Sequence, residues 1–229
     1  MIPPTAMQAL AMMSLALLAA AALNGQTPAP AAATPAANVT GEWTPLFNGK
    51  DLSGWMNAAG GDSKWTIEEG ALTGQRGTGD IWTKARFGNF VFELEFKTTG
   101  NSGVFIRTDE PKNCVQTGIE IQVENPGGPD THSVGAIYDL VAPTKNAAKA
   151  GEWNKYVITV QGPRITVELN GETVSSMDLD LWTQAGKNPD GSGNKFKRPL
   201  KDWKRDGHIG LQDHGAKVSY RNLRIKPLP

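Results

Sequence analysis

Two segments of the chain carry side chains suited to acid–base chemistry. The segment GHIGLQDHG begins as a buried strand and then places Gln212, Asp213 and His214 side by side. The segment GIEIQVE puts Glu120 and Gln122 two residues apart, so that both point to the same face of a strand. A carboxylate can remove or deliver a proton, and an amide can bind hydroxyl groups through donor and acceptor atoms. These residue types form a polar strand face that is more specific than the loose mixture typical of a solvent-facing strand.

A third segment, NSGVFIR, could supply a positive charge to the same place. In a regular strand, Gly103, Phe105 and Arg107 share one face. If this strand neighbours the one that carries Glu120, Arg107 and Glu120 are expected to meet on one concave face of a sheet. A cross-strand ion pair without any further role explains the two residues equally well.

Asp213 is the residue whose position is hardest to explain by strand alternation alone. It would point inward with Ile209 and Leu211, and a buried carboxylate needs partners. Either the strand stops at Gln212, or Asp213 is buried in order to hold something. The alternative is that Asp213 to Gly215 forms a hairpin turn, because Asp and Gly favour turns.

Further polar residues lie near the predicted edges of these strands. The segment HSVGAIYD contributes His132 and Tyr138, although a tyrosine is more often a packing residue with a bonded hydroxyl. The segment RGTGD, residues 76–80, is interpreted only as a glycine-rich turn. The basic residues between Thr183 and Gly207 are expected to form a solvated rim, with an anion site as the alternative.

The elements that must position these residues are strands. Apolar and polar residues alternate with a period of two in FVFELEFK, GVFIR, GIEIQVE, YVITVQG, RITVELNGETV, HIGLQ and VSYRNLRIK. The Asn170-Gly171 pair is typical of a type I′ hairpin turn. No window of a dozen residues has a helical period. One-sided sheets must cover their apolar faces, so the pattern predicts an all-β sandwich or jelly roll of two antiparallel sheets.

Composition excludes several classes of function. The chain has 229 residues with 23 basic and 23 acidic side chains, and a balanced charge argues against binding nucleic acid or an anionic membrane. The single cysteine, Cys114, cannot form an internal disulfide. The three histidines do not have zinc-site spacing, and no GxSxG or phosphate-loop motif is present.

The N-terminal 40 residues are predicted to lie outside the folded domain. Residues 1–24 contain an apolar run with small residues at its end, which is typical of a secretory signal peptide. Residues 25–40 are rich in Pro and Ala and are predicted to be a linker. The folded domain is then 41–229, with no membrane span. A signal and a linker of this kind predict a secreted or periplasmic bacterial protein. The sequence does not indicate an oligomeric state.

A set of motifs in this order resembles the 3-keto-disaccharide hydrolase family, formerly known only as a domain of unknown function. The motifs are WTPLFNGKDLSGW, NSGVFIR, GIEIQV, GAIYD, AGEWNKYVITVQGPRITVELNG and GHIGLQDHG followed by VSYRNLRIK. The resemblance extends from about Glu42 to Lys226. It implies a concanavalin-like β-jelly roll of the lectin and glucanase type, often exported, that acts on glycosides oxidised at carbon 3.

The chemistry of such a substrate assigns hypothetical roles to the candidate residues. A carbonyl at carbon 3 makes the carbon-2 hydrogen acidic, and the resulting enolate can expel the substituent on carbon 1, with or without later addition of water. Glu120 or Asp213 is expected to be the base. Arg107 and His214 are expected to stabilise the enolate oxygen, or His214 to protonate the leaving group.

The remaining candidates are expected to bind the sugar or a metal. Gln122 and Gln212 are expected to bind hydroxyl groups, with Tyr138 and His132 further out. The residues indicate no particular cofactor. A divalent metal held by Glu120, Asp213 and His214 is the alternative electrophile to Arg107.

Two other functions fit the same residues. One is a non-catalytic carbohydrate-binding jelly-roll module, which needs amides and aromatic rings but no converging acid, base and cation. The other is an ordinary β-glucanase-type glycoside hydrolase with closely spaced carboxylates such as ExDxxE. The segment IEIQVE has Gln122 where that motif has its central Asp.

Overall fold

A computed structural model describes residues 41–124 and 127–229. The predicted signal peptide, 1–24, and the predicted linker, 25–40, lie outside the described residues. The strands are β1 (Thr44–Pro45), β2 (Trp55–Asn57), β3 (Thr66–Glu68), β4 (Ala71–Gly74), β5 (Ile81–Thr83), β6 (Phe90–Thr98), β7 (Ser102–Thr108), β8 (Ile119–Val123), β9 (Asn154–Gln161), β10 (Arg164–Leu169), β11 (Glu172–Asp178), β12 (His208–Leu211) and β13 (Val218–Pro227). Helical structure in the described ranges is limited to α1 (Cys114–Thr117) and the 3₁₀ turns Pro111–Asn113, Leu179–Leu181 and Leu200–Asp202. None of these helices is long or apolar enough to cross a bilayer.

The strands form two antiparallel sheets. The eight-stranded sheet has the order β11-β10-β9-β6-β13-β4-β3, with β1 also paired to β13. The five-stranded sheet has the order β2-β5-β12-β7-β8. The predicted all-β jelly roll of two antiparallel sheets is therefore confirmed.

The core lies between the two sheets and follows from strand alternation. In β6, the residues Phe90, Phe92, Leu94 and Phe96 are buried, while the residues between them are only half-buried. Each buried side chain of this size contributes about 1.5–3 kcal/mol to folding. The predicted hairpin between β10 and β11 turns at Asn170 and Gly171, both at positive φ as a type I′ turn requires.

The five-stranded sheet carries buried residues on both of its faces. Val104, Ile121 and Leu211 belong to the core between the sheets. On the opposite face, Trp82 and Phe105 are fully buried and their ring centroids lie 5.5 Å apart. An added Cβ at Gly210 would lie 2.3 Å from the Trp82 ring, so a glycine there makes room for the indole. This second face, called the site face below, carries the candidate polar residues.

Candidate active site

Glu120 lies in the middle of β8 on the site face, beside strand β7. It is directly opposite Phe105 in the antiparallel register. An added Cβ at Gly103 would lie 2.3 Å from Glu120 Oε1, so the carboxylate occupies the space that a side chain at Gly103 would take. The glycine therefore allows the carboxylate to lie flat on the sheet.

Two amides flank this carboxylate. Gln122 is opposite Gly103 in the β7–β8 register, and the Gln212 backbone N–H donates to Gly103 O at 2.9 Å from the other side. Among the described residues, neither Gln122 Oε1 nor Gln212 Oε1 has a hydrogen-bond donor, although both atoms are buried. A buried amide oxygen without a donor costs about 1–3 kcal/mol, which a hydroxyl group of a ligand would offset. The structure thus brings Glu120, Gln122 and Gln212 together, as the sequence predicts.

The environment of Glu120 favours the protonated carboxyl. Burial raises its pKa from 4.5 to about 7, and the nearby Asp80 carboxylate acts in the same direction. The Lys195 ammonium and hydrogen bonding by the Gln212 side chain act against that rise. A carboxyl group that is poised near neutrality can both accept and donate a proton at physiological pH.

Asp80 is a candidate that sequence reasoning missed. It ends the turn 76–80, interpreted above only as a glycine-rich turn, and immediately precedes β5. Burial raises the pKa of its carboxyl, and the neighbouring Asp213 carboxylate adds to the rise while His214 opposes it. Its Oδ1 accepts the backbone N–H of Asp213 at 2.9 Å. The only sequence signal was a carboxylate directly before a short buried strand.

Asp213 holds a loop rather than facing an open space. Its Oδ2 accepts the backbone N–H groups of Gly77 and Gly79, both at 2.9 Å, and the Thr78 hydroxyl at 3.3 Å. Its Oδ1 accepts the Gly215 N–H at 2.9 Å. Strand β12 ends at Leu211, so Asp213 belongs to the turn that the sequence left as an alternative. Asp213 therefore has a structural role, because both of its carboxylate oxygens accept hydrogen bonds from donors of the protein.

The metal site suggested as an alternative is not assembled. Within residues 41–124 and 127–229, no three His, Cys, Asp or Glu side chains come together as a metal-ligating group. The Asp213 oxygens accept the bonds described above, and His214 is exposed to solvent. His214 lies near Asp80, where it favours the ionised carboxylate.

The predicted pairing of Arg107 with Glu120 is wrong. The Arg107 guanidinium donates through Nε to Gly88 O at 2.9 Å, through Nη1 to Gly162 O at 2.6 Å and through Nη2 to Asn89 Oδ1 at 3.0 Å. Arg107 has a φ of 49°, and the β7–β12 register shifts beside it. Strand alternation therefore fails at this residue, and the side chain ties β7 to the ends of β6 and β9 in the other sheet. Its burial lowers its pKa to about 10.

The predicted outer residues lie along the edge of β8 that faces away from β7. Tyr138 N donates to Glu120 O at 2.9 Å, so the segment 134–138 extends the sheet beyond β8. The His132 and Tyr138 rings pack with centroids 4.7 Å apart, and His132 Nε2 lies 3.4 Å from Asp139 Oδ1. Tyr138 is close enough to Glu120 for the carboxylate to contribute to its raised pKa, after burial. His132 is exposed, which leaves it at the margin of the site.

Comparison with known proteins identifies the family. Residues 42–226 match the sequence model of the 3-keto-α-glucoside-1,2-lyase-like domain. The chain belongs to this family. It is also 31% identical over 232 residues to the 3-keto-disaccharide hydrolase of Bacteroides thetaiotaomicron, a match that covers 80% of this chain and 77% of that protein. Membership of this family makes the protein a carbohydrate-active enzyme of the glycosidase type.

Solved structures agree with the assignment. A crystal structure from Parabacteroides distasonis, provisionally named a glycosyl hydrolase, is 34% identical with a TM-score of 0.73, covering 82% of this chain and 100% of that one. A second from the same organism is 31% identical with a TM-score of 0.69, covering 82% and 94%. A Bacillus subtilis protein with a galectin-like fold is 11% identical with a TM-score of 0.53, covering 81% and 94%, and supports the fold alone.

Proposed function

We propose that this enzyme cleaves the glycosidic bond of 3-keto glycosides by removing the carbon-2 proton and eliminating the substituent on carbon 1. The observation that carries the proposal is Glu120, a half-buried carboxyl with a pKa of about 7. It lies on a polar floor between two buried amide oxygens that lack donors among the described residues. The names of the family and of the curated relative supply the substrate class.

In the first step, Glu120 is the base. Its carboxylate takes the proton from carbon 2, and the electrons of that C–H bond form a carbon 2–carbon 3 double bond while the carbonyl electrons move to oxygen. The enolate then restores the carbonyl, forms a carbon 1–carbon 2 double bond and expels the oxygen on carbon 1. A protonated carboxyl delivers a proton to that oxygen, and both Glu120 and Asp80 have raised pKa values suited to this step.

A second step turns elimination into hydrolysis. Water adds across the new double bond, with its oxygen on carbon 1 and a proton on carbon 2. Gln122 and Gln212 accept hydrogen bonds from sugar hydroxyl groups through the buried amide oxygens, and so hold the ring over Glu120. Tyr138 contributes to the adjoining wall through its position beside Glu120.

The test follows a hydrogen isotope. The enzyme is incubated in D₂O with a 3-keto α-glucoside and with its unoxidised parent, and the released sugars are analysed by NMR and mass spectrometry. We expect cleavage of the keto sugar alone, with deuterium at carbon 2 of the released keto sugar. Glu120→Gln should lower kcat/KM by about 10²–10⁴, the usual contribution of a general base. Free keto sugar is also incubated with Glu120→Gln in D₂O. This control measures the hydrogen–deuterium exchange at carbon 2 that takes place without the Glu120 carboxylate.

Glu168→Gln is the matched control. Glu168 is also a strand residue, but it lies in β10 of the other sheet, between the buried Val167 and Leu169. This variant should keep the wild-type rate. Release of sugar without deuterium at carbon 2 would contradict the elimination mechanism.

The pair of carboxyl groups, Asp80 and Glu120, also favours a second candidate, an ordinary two-carboxylate glycosidase. Such an enzyme would cleave the unoxidised parent and would leave the carbon-2 hydrogen in place. Binding of either sugar without any cleavage would instead indicate a non-catalytic carbohydrate-binding module. The same incubation separates all three functions.

We also propose that the protein is exported, to the periplasm or the medium. The apolar run within residues 1–24 supports this proposal. Expression of the full chain in a bacterial host, followed by fractionation and mass spectrometry of the N-terminus, tests it. A full-length protein that stays in the cytoplasm would contradict export.

A further inference from the structure

Arg107, which was expected to stabilise the enolate oxygen of the proposed reaction, is bound to Gly88, Asn89 and Gly162 instead. Another cation is therefore needed at that oxygen. Negative charge that develops on the carbon-3 oxygen needs a donor or a positive charge beside it. Lys195 is a cation that acts on Glu120, because its ammonium lowers the pKa of that carboxyl. It comes from the segment between Thr183 and Gly207, whose basic residues were expected to form a solvated rim.

The backbone at Lys195 is held on both sides. Lys195 N donates to Asp139 Oδ2 at 3.0 Å, and Gln116 Nε2 donates to Lys195 O at 3.1 Å. Gln116 Oε1 also accepts the Lys197 N–H at 3.0 Å, so one amide side chain brackets the segment. These bonds attach Lys195 to α1, which contacts β7 and β8, and to the loop that follows β8.

The side chain is directed toward the site by aromatic contacts. Lys195 Nζ lies 3.9 Å from the centroid of the Tyr138 ring and 5.6 Å from that of Phe196. Tyr138 in turn is hydrogen-bonded through its backbone to Glu120. A cation–π contact positions an ammonium without neutralising it, which leaves its N–H donors available to a ligand.

Three other cations of the same segment form ion pairs. Lys201, Lys204 and Arg205 form ion pairs with Asp202, Asp109 and Asp180 respectively. Burial lowers the pKa of Lys195, whereas its nearest charged neighbours, Glu120 and Asp139, oppose that fall. Lys195 is itself exposed to solvent, but it differs from these three cations because its ammonium lies over the Tyr138 ring and acts on Glu120.

We propose that Lys195 is a catalytic residue that binds the carbon-3 oxygen of the substrate and stabilises the negative charge on it while Glu120 holds the carbon-2 proton. This role rests on the proposed function. The ammonium keeps its own protons throughout: it donates a hydrogen bond to the carbonyl oxygen, a stronger one to the enolate oxygen, and the first again when the carbonyl is restored. Stabilisation of the enolate lowers the barrier to proton removal.

The test compares Lys195→Met, Lys195→Arg and Lys197→Met with the wild type in kcat/KM profiles for a 3-keto α-glucoside between pH 5 and pH 9. Lys197 is the matched control because its backbone is held by the same Gln116 and both lysines are exposed, whereas only Lys195 of the two places its ammonium over the Tyr138 ring. Lys195→Met should lower kcat/KM by about 10²–10³, the usual cost of losing one donor to a developing oxyanion. Thermal melting of each variant verifies that it is folded.

The pH profile separates a role in the site from a purely structural one. The acidic limb of the kcat/KM profile reports the pKa of Glu120, which is about 7 in the wild type. The Lys195 ammonium lowers this pKa, so its loss in Lys195→Met should move the acidic limb to higher pH. Lys195→Arg should keep the limb in place and recover part of the rate. Lys197→Met should match the wild type in both respects.

The outcomes distinguish this role from the proposed function. An active wild type whose Lys195→Met variant keeps kcat/KM within threefold, with an unmoved acidic limb, would overturn the role of Lys195 alone. A wild type that releases no sugar from the keto glucoside would overturn the proposed function and this role with it.

Discussion

Substitution of Gly103 by alanine should impair catalysis while leaving the fold intact. The new Cβ would lie 2.3 Å from Glu120 Oε1, 3.0 Å from Cδ and 3.1 Å from Cγ. Ordinary contact begins at 3.4 Å, so the carboxylate must move by about 1 Å. A displacement of that size at a reacting group costs about 10²-fold in rate. Gly103 does not have a positive φ, so alanine meets no backbone strain there.

The assay is the initial rate of sugar release from a 3-keto α-glucoside, together with thermal unfolding. We expect kcat/KM to fall about 10²-fold, and the melting temperature to reflect an overpacking cost of about 1–3 kcal/mol. Gly54→Ala is the control, because the nearest atom to its added Cβ, Leu46 O, lies 3.9 Å away. A fully active Gly103→Ala enzyme would refute the reasoning that the position of the Glu120 carboxylate governs the rate.

Two further substitutions test the electrostatics of the buried groups. The Glu120 pKa is about 7 in the folded protein and 4.5 for an unperturbed glutamate, which represents the unfolded chain. Between pH 4.5 and pH 7 the folded protein therefore keeps a proton that the unfolded chain loses. The free energy of unfolding falls as pH rises through this window. Glu120→Gln should therefore be more stable than the wild type at pH 8 by up to about 3 kcal/mol, and this difference should vanish near pH 4. Urea unfolding at both pH values measures the two stabilities. Equal stability of the two proteins at pH 8 would contradict the raised pKa. Arg107→Met removes the guanidinium donor from Gly88 O and Gly162 O and one of the two donors to Asn89 Oδ1, which keeps the Gly162 N–H. It should destabilise the protein by about 3 kcal/mol in the same assay, while kcat/KM stays within twofold. Lost activity at unchanged stability would return Arg107 to the catalytic site.

The strands were predictable because alternation is a local property. A residue two positions along a strand returns to the same face, so β6 and β8 can be recognised without their neighbours. The Asn170-Gly171 turn was predictable for a similar reason, since few residue pairs tolerate two successive positive φ values. Glu120 and Gln122 share a face by the same rule, and the structure places them together with Gln212.

The errors arose where local rules give way to contacts between distant segments. Arg107 was assigned to the wrong face because its positive φ and the nearby register shift interrupt the alternation, and neither feature is visible in the residue types. Asp80 was missed because it acts on distant residues. Its carboxylate raises the pKa of Glu120, 40 positions later in the chain, and the turn before it is held by hydrogen bonds to Asp213.

The order of motifs along the chain determined the family, the all-β fold and the residue types that can do acid–base chemistry, because these depend on side-chain identity and on a period of two. Only the tertiary structure decided which charged groups lie close to one another. Burial beside Asp80 sets the pKa of Glu120, an ammonium from a segment 75 residues later lies near it, and the buried guanidinium of Arg107 is engaged at the junction of the two sheets. Electrostatic energies depend on distance and desolvation, and both quantities arise only when segments far apart in sequence are packed together.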